Sequence, residues 1–413
     1  MAMTLKQAVV DDDALDVMLA CRPVYSKNQD LAAFQLLLQG GGDSVTLSDI
    51  ESSHPVILGT YSQVYQDGRT RTVPTFLRVT PEVLLARSLP HLPKKQYILD
   101  LDHGLAAPDV LLEQARRWAG QGYRLALDGF GPADSVDPAL LDLVHIIKLD
   151  VRRFDDDTLR ATVEKLRPHG ADLLADHLDD RRRFRVCLEL GFSYYQGDFL
   201  STAVPVKGRK IAGNQLLLLR LLAELHNPES TPSSLEAIAI QDAHLTWRIL
   251  RVVNSAALGL RREVSSLSQA IALLGMDEMR RWANLLLVHG SQNKPAHLVR
   301  NMLVRGRMCE VLAELSGEEV PVNHFIVGLL SQLDVITDIA MPELMDQVPL
   351  SQEVKRALVA REGKLGDLLN EVEHYENGRF DQLTWLNDTS FYEVAYRHSV
   401  AWARQVQQAL GSL

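Results

Sequence analysis

Short apolar segments that each end in an aspartate recur along the first half of the chain, and they restrict the fold more than any other feature. They read QYILDLD (96–102), YRLALD (123–128), VHIIKLD (144–150) and ADLLAD (171–176). Near-continuous apolar strands separated by helical stretches are typical of a parallel sheet with helices on both faces. With an opening hairpin at 17–39, a strand at 72–79 and a closing strand at 194–197, about eight strands are expected, which favours a TIM-like (β/α)8 barrel.

Strand signals vanish after PVKGRK (205–210). Beyond it, apolar residues recur at helical spacing, with helix breakers at Asn227-Pro228, Gly275 and Gly317. We therefore divide the 413-residue chain into a barrel at 1–205 and an all-α domain at 206–413, joined by a linker at about 203–211. Two domains of roughly 200 residues each suit this length.

Charge and cysteine content exclude several kinds of protein. The formal net charge is -10, which disfavours broad binding to nucleic acid. The three cysteines are far apart and show no CxxC spacing, so we expect neither a disulfide framework nor a zinc site. The sequence lacks an apolar run near 18 residues and begins without the apolar core of a signal peptide. We expect a cytoplasmic protein with no membrane span.

The aspartates at the strand ends are the first candidates for a functional site. In a β/α barrel the carboxyl ends of the strands form one mouth, and the side chain of Lys148 shares a strand face with that of Asp150. Converging carboxylates with a lysine could hold a divalent cation against a phosphate. Alternatively, each aspartate could simply cap the following helix. Spacing alone leaves both interpretations open.

Five segments, in order, resemble EAL-type cyclic di-GMP phosphodiesterase domains over about residues 15–205. They are AFQLLLQ (33–39), ALDGFG (126–131), VHIIKLDVRRF (144–154), LLADHLDD (173–180) and ELGFSYYQGDFLSTAVP (189–205). Active members of this family bind two metal ions beside the scissile phosphodiester, and the resemblance implies a pocket at the barrel mouth. That pocket would comprise Gln35, Arg78, Asp100, His103, Asp128, Gly129, Lys148, Asp150, Asp176, Asp179 and Gln196.

The departures from the family pattern fall on its metal ligands. Gln35 stands in place of the signature Glu, Arg78 in place of Asn, and Gly129 in place of the second Asp of an Asp-Asp pair. Asp100 and Asp176 stand where Glu is usual, and His103 replaces a further Glu. We expect no metal, no cofactor and no catalytic residue here. We also expect Arg78 to pair with Asp100 or Asp128 and to occupy the cation position.

The second half resembles an HDOD domain, through LTWRILRVVNSAALGLRREVSSLSQAIALLGMDEMRRW (245–282). HDOD domains resemble HD-type phosphohydrolases that lost a metal-binding His-Asp pair, and here Ser331 and Gln332 stand at that pair's place in GLLSQLD (328–334). Neutral Ser and Gln offer no strong metal site. Four residues of this half could form an interaction surface for an anionic partner, or could be an ordinary turn and solvated helix face: Asn254, Ser255, Arg280 and Arg281.

Three functions follow from the resemblance. A non-catalytic scaffold that acts through protein partners is our first hypothesis, because each domain lacks its family's metal ligands. The EAL-HDOD combination resembles bacterial regulators of motility, biofilm and cyclic di-GMP signalling. A receptor that binds cyclic di-GMP without hydrolysis is the alternative, since Lys148 and Gln196 are retained. Residual phosphodiesterase activity is the third hypothesis, and a homodimer is compatible with all three.

Overall fold

The structure is a computed structural model, and its two compact units are described separately. It describes residues 17–40, 62–66, 69–79, 81–85, 92–102, 104, 108–132, 134, 136–200, 264–289, 296–348, 350–386 and 388–411, with single positions and short stretches between 218 and 254. The predicted linker and the Asn227-Pro228 breaker lie outside these residues. The first unit comprises Asp16–Val64 and Arg71–Thr202, and the second comprises Met1–Leu15, Tyr65–Thr70 and Ala203–Leu413.

Eight strands of the first unit close into a barrel, in the order β1-β10-β9-β8-β7-β6-β5-β2. Their bounds are Val17–Ser26 (β1), Leu31–Gly40 (β2), Thr75–Arg78 (β5), Tyr97–Asp102 (β6), Arg124–Phe130 (β7), Ile146–Asp150 (β8), Asp172–Asp176 (β9) and Tyr194–Tyr195 (β10). A separate two-stranded sheet pairs Gln63–Gln66 (β3) with Arg69–Thr72 (β4). The predicted barrel is confirmed.

The first strand departs from a regular (β/α)8 barrel. β1 runs antiparallel to both of its neighbours, β2 and β10, whereas the other neighbouring pairs in the barrel are parallel. The cause is local, because only a short turn separates Ser26 from Leu31, and a parallel neighbour would need a crossover of a dozen or more residues. Gln29 in that turn has a left-handed backbone, with φ of 65°.

Helices follow most of the parallel strands. They are Pro81–Leu85 (α1), Pro108–Gly120 (α2), Pro138–Leu141 (α3), Asp156–Leu166 (α4) and Arg181–Glu189 (α5), with 3-10 turns at Val151–Arg153, Arg167–His169 and Asp198–Leu200. α4 begins with a capping box between Asp155 and Thr158. Of the strand-end aspartates, Asp150 caps the 3-10 turn Val151–Arg153 by accepting from Arg152 N–H, in line with the capping interpretation of the sequence.

The inside of the barrel is an apolar plug to which seven strands contribute. Its buried side chains are Val24, Ala33, Phe76, Ile98, Ala126, Ile146 and Leu174, and Tyr194 packs against them. Successive residues of a strand point to opposite faces, so residues two positions further along the same strand also point inward. The plug thereby fixes which side chains line the mouth.

Apart from Tyr65–Thr70, which belong to β3, β4 and the turn between them, the second unit is helical in its described part. Its helices are Pro232–Ala239 (α6), Leu267–His289 (α7), Ala296–Ser316 (α8), Pro321–Leu330 (α9), Leu333–Thr337 (α10), Met341–Gln347 (α11), Gln352–Ala360 (α12), Gly363–Glu376 (α13) and Ser390–Gly411 (α14), with a 3-10 turn at Phe380–Gln382. Two predicted breakers are confirmed: Gly275 interrupts α7 with φ of 81°, and Gly317 follows α8 with φ of 77°. None of the described helices has the length and apolar character needed to span a bilayer.

Helices α8 and α9 approach closely at two glycines. A Cβ atom added to Gly328 would lie 2.8 Å from the Cα of Gly306 and 2.8 Å from the carbonyl oxygen of Arg305. Contacts this short exclude any larger side chain unless a helix moves. The glycine contact therefore brings Arg305 against the end of α9.

Candidate functional site at the barrel mouth

Polar side chains from several strands face inward one step above the apolar plug. Two positions beyond the plug residues on their strands lie Gln35, Arg78, Asp100, Asp128, Lys148 and Asp176, and Gln196 lies two positions beyond Tyr194. Asp150 follows Lys148 by two further residues on β8. The structure therefore brings together eight of the positions that the resemblance assigns to the pocket. His103 lies outside the described residues.

Lys148 supplies the buried positive charge of this site. Its Nζ lies 2.8 Å from Asp100 Oδ2 and 3.2 Å from Asp128 Oδ1, and its side chain is 1% exposed. Burial alone lowers the pKa of Lys148, but Asp100, Asp128 and Asp176 together raise it above its ordinary value. Burial also raises the pKa of Asp100, to about 6, although Lys148 opposes that change.

Arg78 does not occupy the cation position, so the expectation that it pairs with Asp100 or Asp128 is wrong. Its Nη2 lies 3.1 Å from Asp102 Oδ2, and its side chain is 60% exposed. Arg78 is the last residue of its short strand, so its long side chain extends to the rim. There it meets Asp102, which lies two residues beyond Asp100 on β6. The shorter, more central Lys148 reaches the buried acids instead.

The side chains at the mouth do not fit a pair of divalent metal ions. Gln35 carries no charge, and Gly129, with φ of 72°, has only its backbone N–H directed at Asp128 Oδ1. In the part of the chain that the structure describes, no three Asp, Glu, His or Cys side chains are grouped to share an ion. Hard cations require several oxygen ligands, and Lys148 already uses two of the carboxylates. No chemical step through a metal follows from this geometry.

Several buried polar atoms of the mouth lack a hydrogen-bond partner among the described residues. They are Gln35 Oε1, Asp100 Oδ1 and both side-chain amide atoms of Gln196. The backbone of Gln196 is firmly held, because its N–H donates to Ala175 O at 2.8 Å. An unsatisfied buried polar atom costs about 1–3 kcal/mol. These atoms therefore favour a polar occupant of the mouth, either water or a ligand.

The rim holds a histidine that the sequence predictions missed. His177 Nδ1 lies 3.3 Å from Asp176 Oδ2 and 3.6 Å from Asp150 Oδ1. Its backbone is left-handed, with φ of 58°, which is costly for a residue with a side chain. The available signal was that LLADHLDD (173–180) resembles an Ala-Glu-Gly-Val-Glu-Thr segment of EAL domains, in which a glycine stands at the position of His177. Asp179, two residues further on, is exposed.

Asp150 belongs to the rim rather than to the buried pair. Its two carboxylate oxygens accept hydrogen bonds from Arg152 Nε at 3.0 Å and Nη2 at 2.9 Å. Burial tends to raise the pKa of Asp150, but these bonds and nearby His177 lower it below its ordinary value. Asp150 also caps the 3-10 turn by accepting from Arg152 N–H, which is the second of the two interpretations that the sequence left open.

In the helical unit, an arginine lies at the place of the missing His-Asp pair. Ser331 Oγ donates to Gly328 O at 2.8 Å and accepts from Arg305 Nη1 at 2.9 Å. Arg305 also pairs with Glu373 at 3.0 Å and Glu376 at 2.6 Å. Burial lowers the pKa of Arg305, yet the two glutamates raise it above its ordinary value.

Gln332, beside Ser331, has a buried side-chain oxygen without a partner in the described part of the chain. A neutral hydroxyl, a neutral amide and an adjacent guanidinium do not form a cation site. The residues at this position therefore do not fit the metal of an HD-type enzyme.

The predicted interaction surface of the helical unit is only partly described. The side chain of Asn254 bonds to the backbone of Val264: its Nδ2 donates to Val264 O at 2.8 Å, and its Oδ1 accepts from Val264 N at 2.7 Å. Arg281 is 16% exposed and is committed to Glu278 and Glu310, so its assignment to an open surface is wrong. Ser255 and the side chain of Arg280 lie outside the described residues.

Comparison with known proteins assigns the helical half. Residues 215–396 match the family model of the HDOD domain. The chain is 22% identical to the uncharacterized protein YuxH of Bacillus subtilis over 406 residues, 95% of this chain and 99% of that protein. It is 26% identical to the cyclic di-GMP phosphodiesterase CdgJ of Vibrio cholerae over 373 residues, 89% of this chain and 86% of that protein.

Among solved structures, the EAL domain of FimX from Pseudomonas aeruginosa bound to c-di-GMP is similar at 15% identity and a TM-score of 0.34, over 49% of this chain and 95% of that one. The helical half matches the HDOD family over residues 215–396, and the closed barrel before it carries ordered motifs that resemble those of EAL domains. Together these findings support an EAL-HDOD architecture.

Proposed function

We propose that this protein is a non-catalytic regulator in cyclic di-GMP signalling that acts through contacts with protein partners. The relative CdgJ bears the name of a cyclic di-GMP phosphodiesterase, which supports the signalling context. Control of motility or biofilm is the setting that the domain combination suggests. The absence of catalysis is the part of the proposal that the geometry of the mouth supports.

The observation that carries the proposal is the pairing of Lys148 with Asp100 and Asp128. Charges about 4 Å apart interact by roughly 4 kcal/mol at an effective dielectric near 20. A divalent ion at these two acids would lie beside the lysine ammonium and would gain no compensating charge from Gln35 or Gly129. Metal-assisted hydrolysis needs a bound ion to polarise the phosphodiester and to activate water, and this donor set disfavours one.

The test is a hydrolysis assay with cyclic di-GMP and either magnesium or manganese. We expect no turnover above that of the Asp128→Asn variant, which serves as the matched negative control. Metal-dependent turnover that disappears in Asp128→Asn would refute the proposal, because it would show that the mouth binds a working metal.

A receptor that binds cyclic di-GMP without cutting it is a second candidate, favoured by the unpartnered atoms of Gln35, Asp100 and Gln196. An amide can both donate to and accept from a guanine edge, and it can donate to a phosphate oxygen. Calorimetry with cyclic di-GMP in the presence of EDTA tests this function, with Gln196→Met as the comparison. Heat in the wild type that is lost in Gln196→Met supports the receptor. Absence of heat at high micromolar nucleotide excludes it.

A further inference from the structure

The polar groups of the barrel mouth are almost closed to solvent on the side formed by β9 and β10. Gln196 is 1% exposed and Asp176 is 6% exposed, although both stand above the apolar plug. Ala175 and Tyr195 are partners across these two strands, so the residues that follow them, Asp176 and Gln196, lie side by side and point inward. This side of the mouth is therefore covered.

The imidazole of His177 lies over these groups. Its Nδ1 is 3.3 Å from Asp176 Oδ2 and 3.6 Å from Asp150 Oδ1. Asp150 and Asp176 are themselves partners across β8 and β9, so the ring spans the ends of two adjacent strands. The His177 side chain is 32% exposed, and it thus forms the boundary between the two acids and solvent.

The backbone of His177 is fixed on both sides. Its N–H donates to Asp176 Oδ1 at 2.7 Å. The next residue, Leu178, donates from its N–H to Gln196 O at 3.0 Å and accepts from Phe199 N–H at 2.9 Å. These bonds hold His177 in the left-handed region, with φ of 58°, which a glycine would adopt more easily. The fold therefore directs the ring toward the mouth.

The ring itself is held less firmly than its backbone. Among the described residues, Nδ1 has no well-aligned hydrogen-bond partner, and its distances to the two carboxylates exceed the usual range for a hydrogen bond. A side chain on a fixed backbone can change rotamer without moving a strand. Uncovering Asp150 and Asp176 thus requires the rotation of one side chain.

We propose that His177 is a gate of the barrel mouth. In the closed position its imidazole lies over Asp150 and Asp176 and keeps solutes away from the side-chain amide of Gln196. Rotation of the His177 side chain exposes all three groups. The gate goes beyond the proposed function, because it concerns access to the mouth and not the chemistry that takes place there.

Two accessibility measurements on the full chain test the gate. The first places a reporter thiol with Gln196→Cys and follows its reaction with iodoacetamide by peptide mass spectrometry; the three natural thiols are buried. The second keeps Gln196 and follows the labelling of Asp176 by a carbodiimide and glycine ethyl ester, with the exposed Asp179 as internal reference. Both compare the wild-type residue with His177→Ala and His177→Gly.

We expect the reporter thiol to react about tenfold faster or more in both His177 variants, because the ring no longer limits access. Labelling of Asp176 relative to Asp179 should rise in the same variants. If Gln196→Cys does not fold, the carboxylate measurement alone decides. His177→Ala keeps a Cβ atom, so a rise in that variant shows that loss of the ring, and not of backbone strain, opens the mouth.

The matched control is Arg78→Ala, which removes a longer and 60% exposed rim side chain from β5. Because β5 lies opposite β9 in the strand order of the barrel, this change should leave both labelling rates within about twofold of the wild type. Labelling of Cys21 and Cys187 should stay unchanged in every variant, because the fold around those thiols stays closed.

Three results would overturn the inference. They are unchanged labelling in both His177 variants, an equal rise in Arg78→Ala, and a parallel rise at Cys21 and Cys187. The second would make the closure a general effect of the rim, and the third would make it local unfolding. Turnover of cyclic di-GMP by the wild type would refute the proposed absence of catalysis without changing these labelling ratios, so the two failures are distinguishable.

Discussion

Lys148 Nζ donates a hydrogen bond to Asp100 Oδ2 at 2.8 Å, in a place where neither side chain reaches solvent. A buried ion pair of this kind is not a strong source of stability in itself, because both charges lose their hydration. Breaking it by removing one partner is costly, however, since the other charge then stays buried and unpaired.

Lys148→Met should therefore destabilise the barrel by about 3–5 kcal/mol. The double variant Lys148→Met/Asp100→Leu should recover part of this loss, because it removes both fully buried charges and leaves only the partly exposed Asp128 without its lysine. Urea unfolding followed by tryptophan fluorescence measures the difference. The control is Arg152→Met, which breaks a half-exposed pair with Asp150 and should cost under about 1 kcal/mol. A larger loss in the double variant than in Lys148→Met would contradict this account.

The pKa of Asp100 predicts a specific pH dependence. Because the folded-state pKa is raised to about 6 from an ordinary value of 3.8, the protonated form favours folding. This contribution is present below about pH 3.8 and is lost as the pH rises through about 6, at about 1.4 kcal/mol per pKa unit. The stability of the wild type relative to Asp100→Asn should fall between pH 4 and pH 7. A flat or rising difference would contradict it.

Gly197→Ala should destabilise the barrel strongly. The glycine has φ of 139°, and an added Cβ would lie 2.4 Å from the backbone N and O of Leu178. We expect a loss of more than about 2 kcal/mol, because rigid backbone must shift. Gly191→Ala is the matched control: its φ is 88°, but an added Cβ meets no atom within 4 Å. Thermal unfolding should give a lower midpoint for Gly197→Ala than for Gly191→Ala. Equal losses of stability would show that contact with the Leu178 backbone does not determine the cost.

Restoring the His-Asp pair of the helical domain should not create a metal site. In Ser331→His/Gln332→Asp, the guanidinium of Arg305 still lies beside the new ligands and repels a cation. Calorimetry with manganese should show no stoichiometric binding at neutral pH. Adding Arg305→Gln tests the reason, since any gain of binding should appear only in the triple variant. Tight binding by the double variant would show that Arg305 does not control this position.

Gln35→Glu alone should not restore hydrolysis, because the position of Gly129 still supplies no ligand. Gly129→Asp is the informative partner change: an added Cβ has open space there, and Asp tolerates a left-handed backbone better than most residues. Circular dichroism should show that the double variant is folded. Metal-dependent turnover of cyclic di-GMP by Gln35→Glu alone would show that Gly129 is not a cause of the missing hydrolysis.

The sequence predicted the barrel well, because strand periodicity and the order of the motifs are local signals. Alternation along one strand predicted that Lys148 and Asp150 share a face, whereas the resemblance to EAL domains placed Gln35 and Gln196 at the mouth. The partner of Arg78 could not be predicted. The choice between Asp100 and Asp102 depends on how far the end of β5 reaches along β6 toward the rim of the barrel, and strand periodicity does not contain this information. Arg305 was missed because its partners Glu373 and Glu376 lie about 70 residues away and meet it only through helix packing.

The three cysteines are built-in probes of local opening. Cys21 lies on β1, Cys187 on α5 and Cys309 on α8; all three thiols are buried, and none of the three is in a disulfide. A thiol reagent can reach each one only after its own element opens, so the rate of modification reports local opening at that element. The opening rates of β1, α5 and α8 can thus be measured separately in one chain that carries no added label.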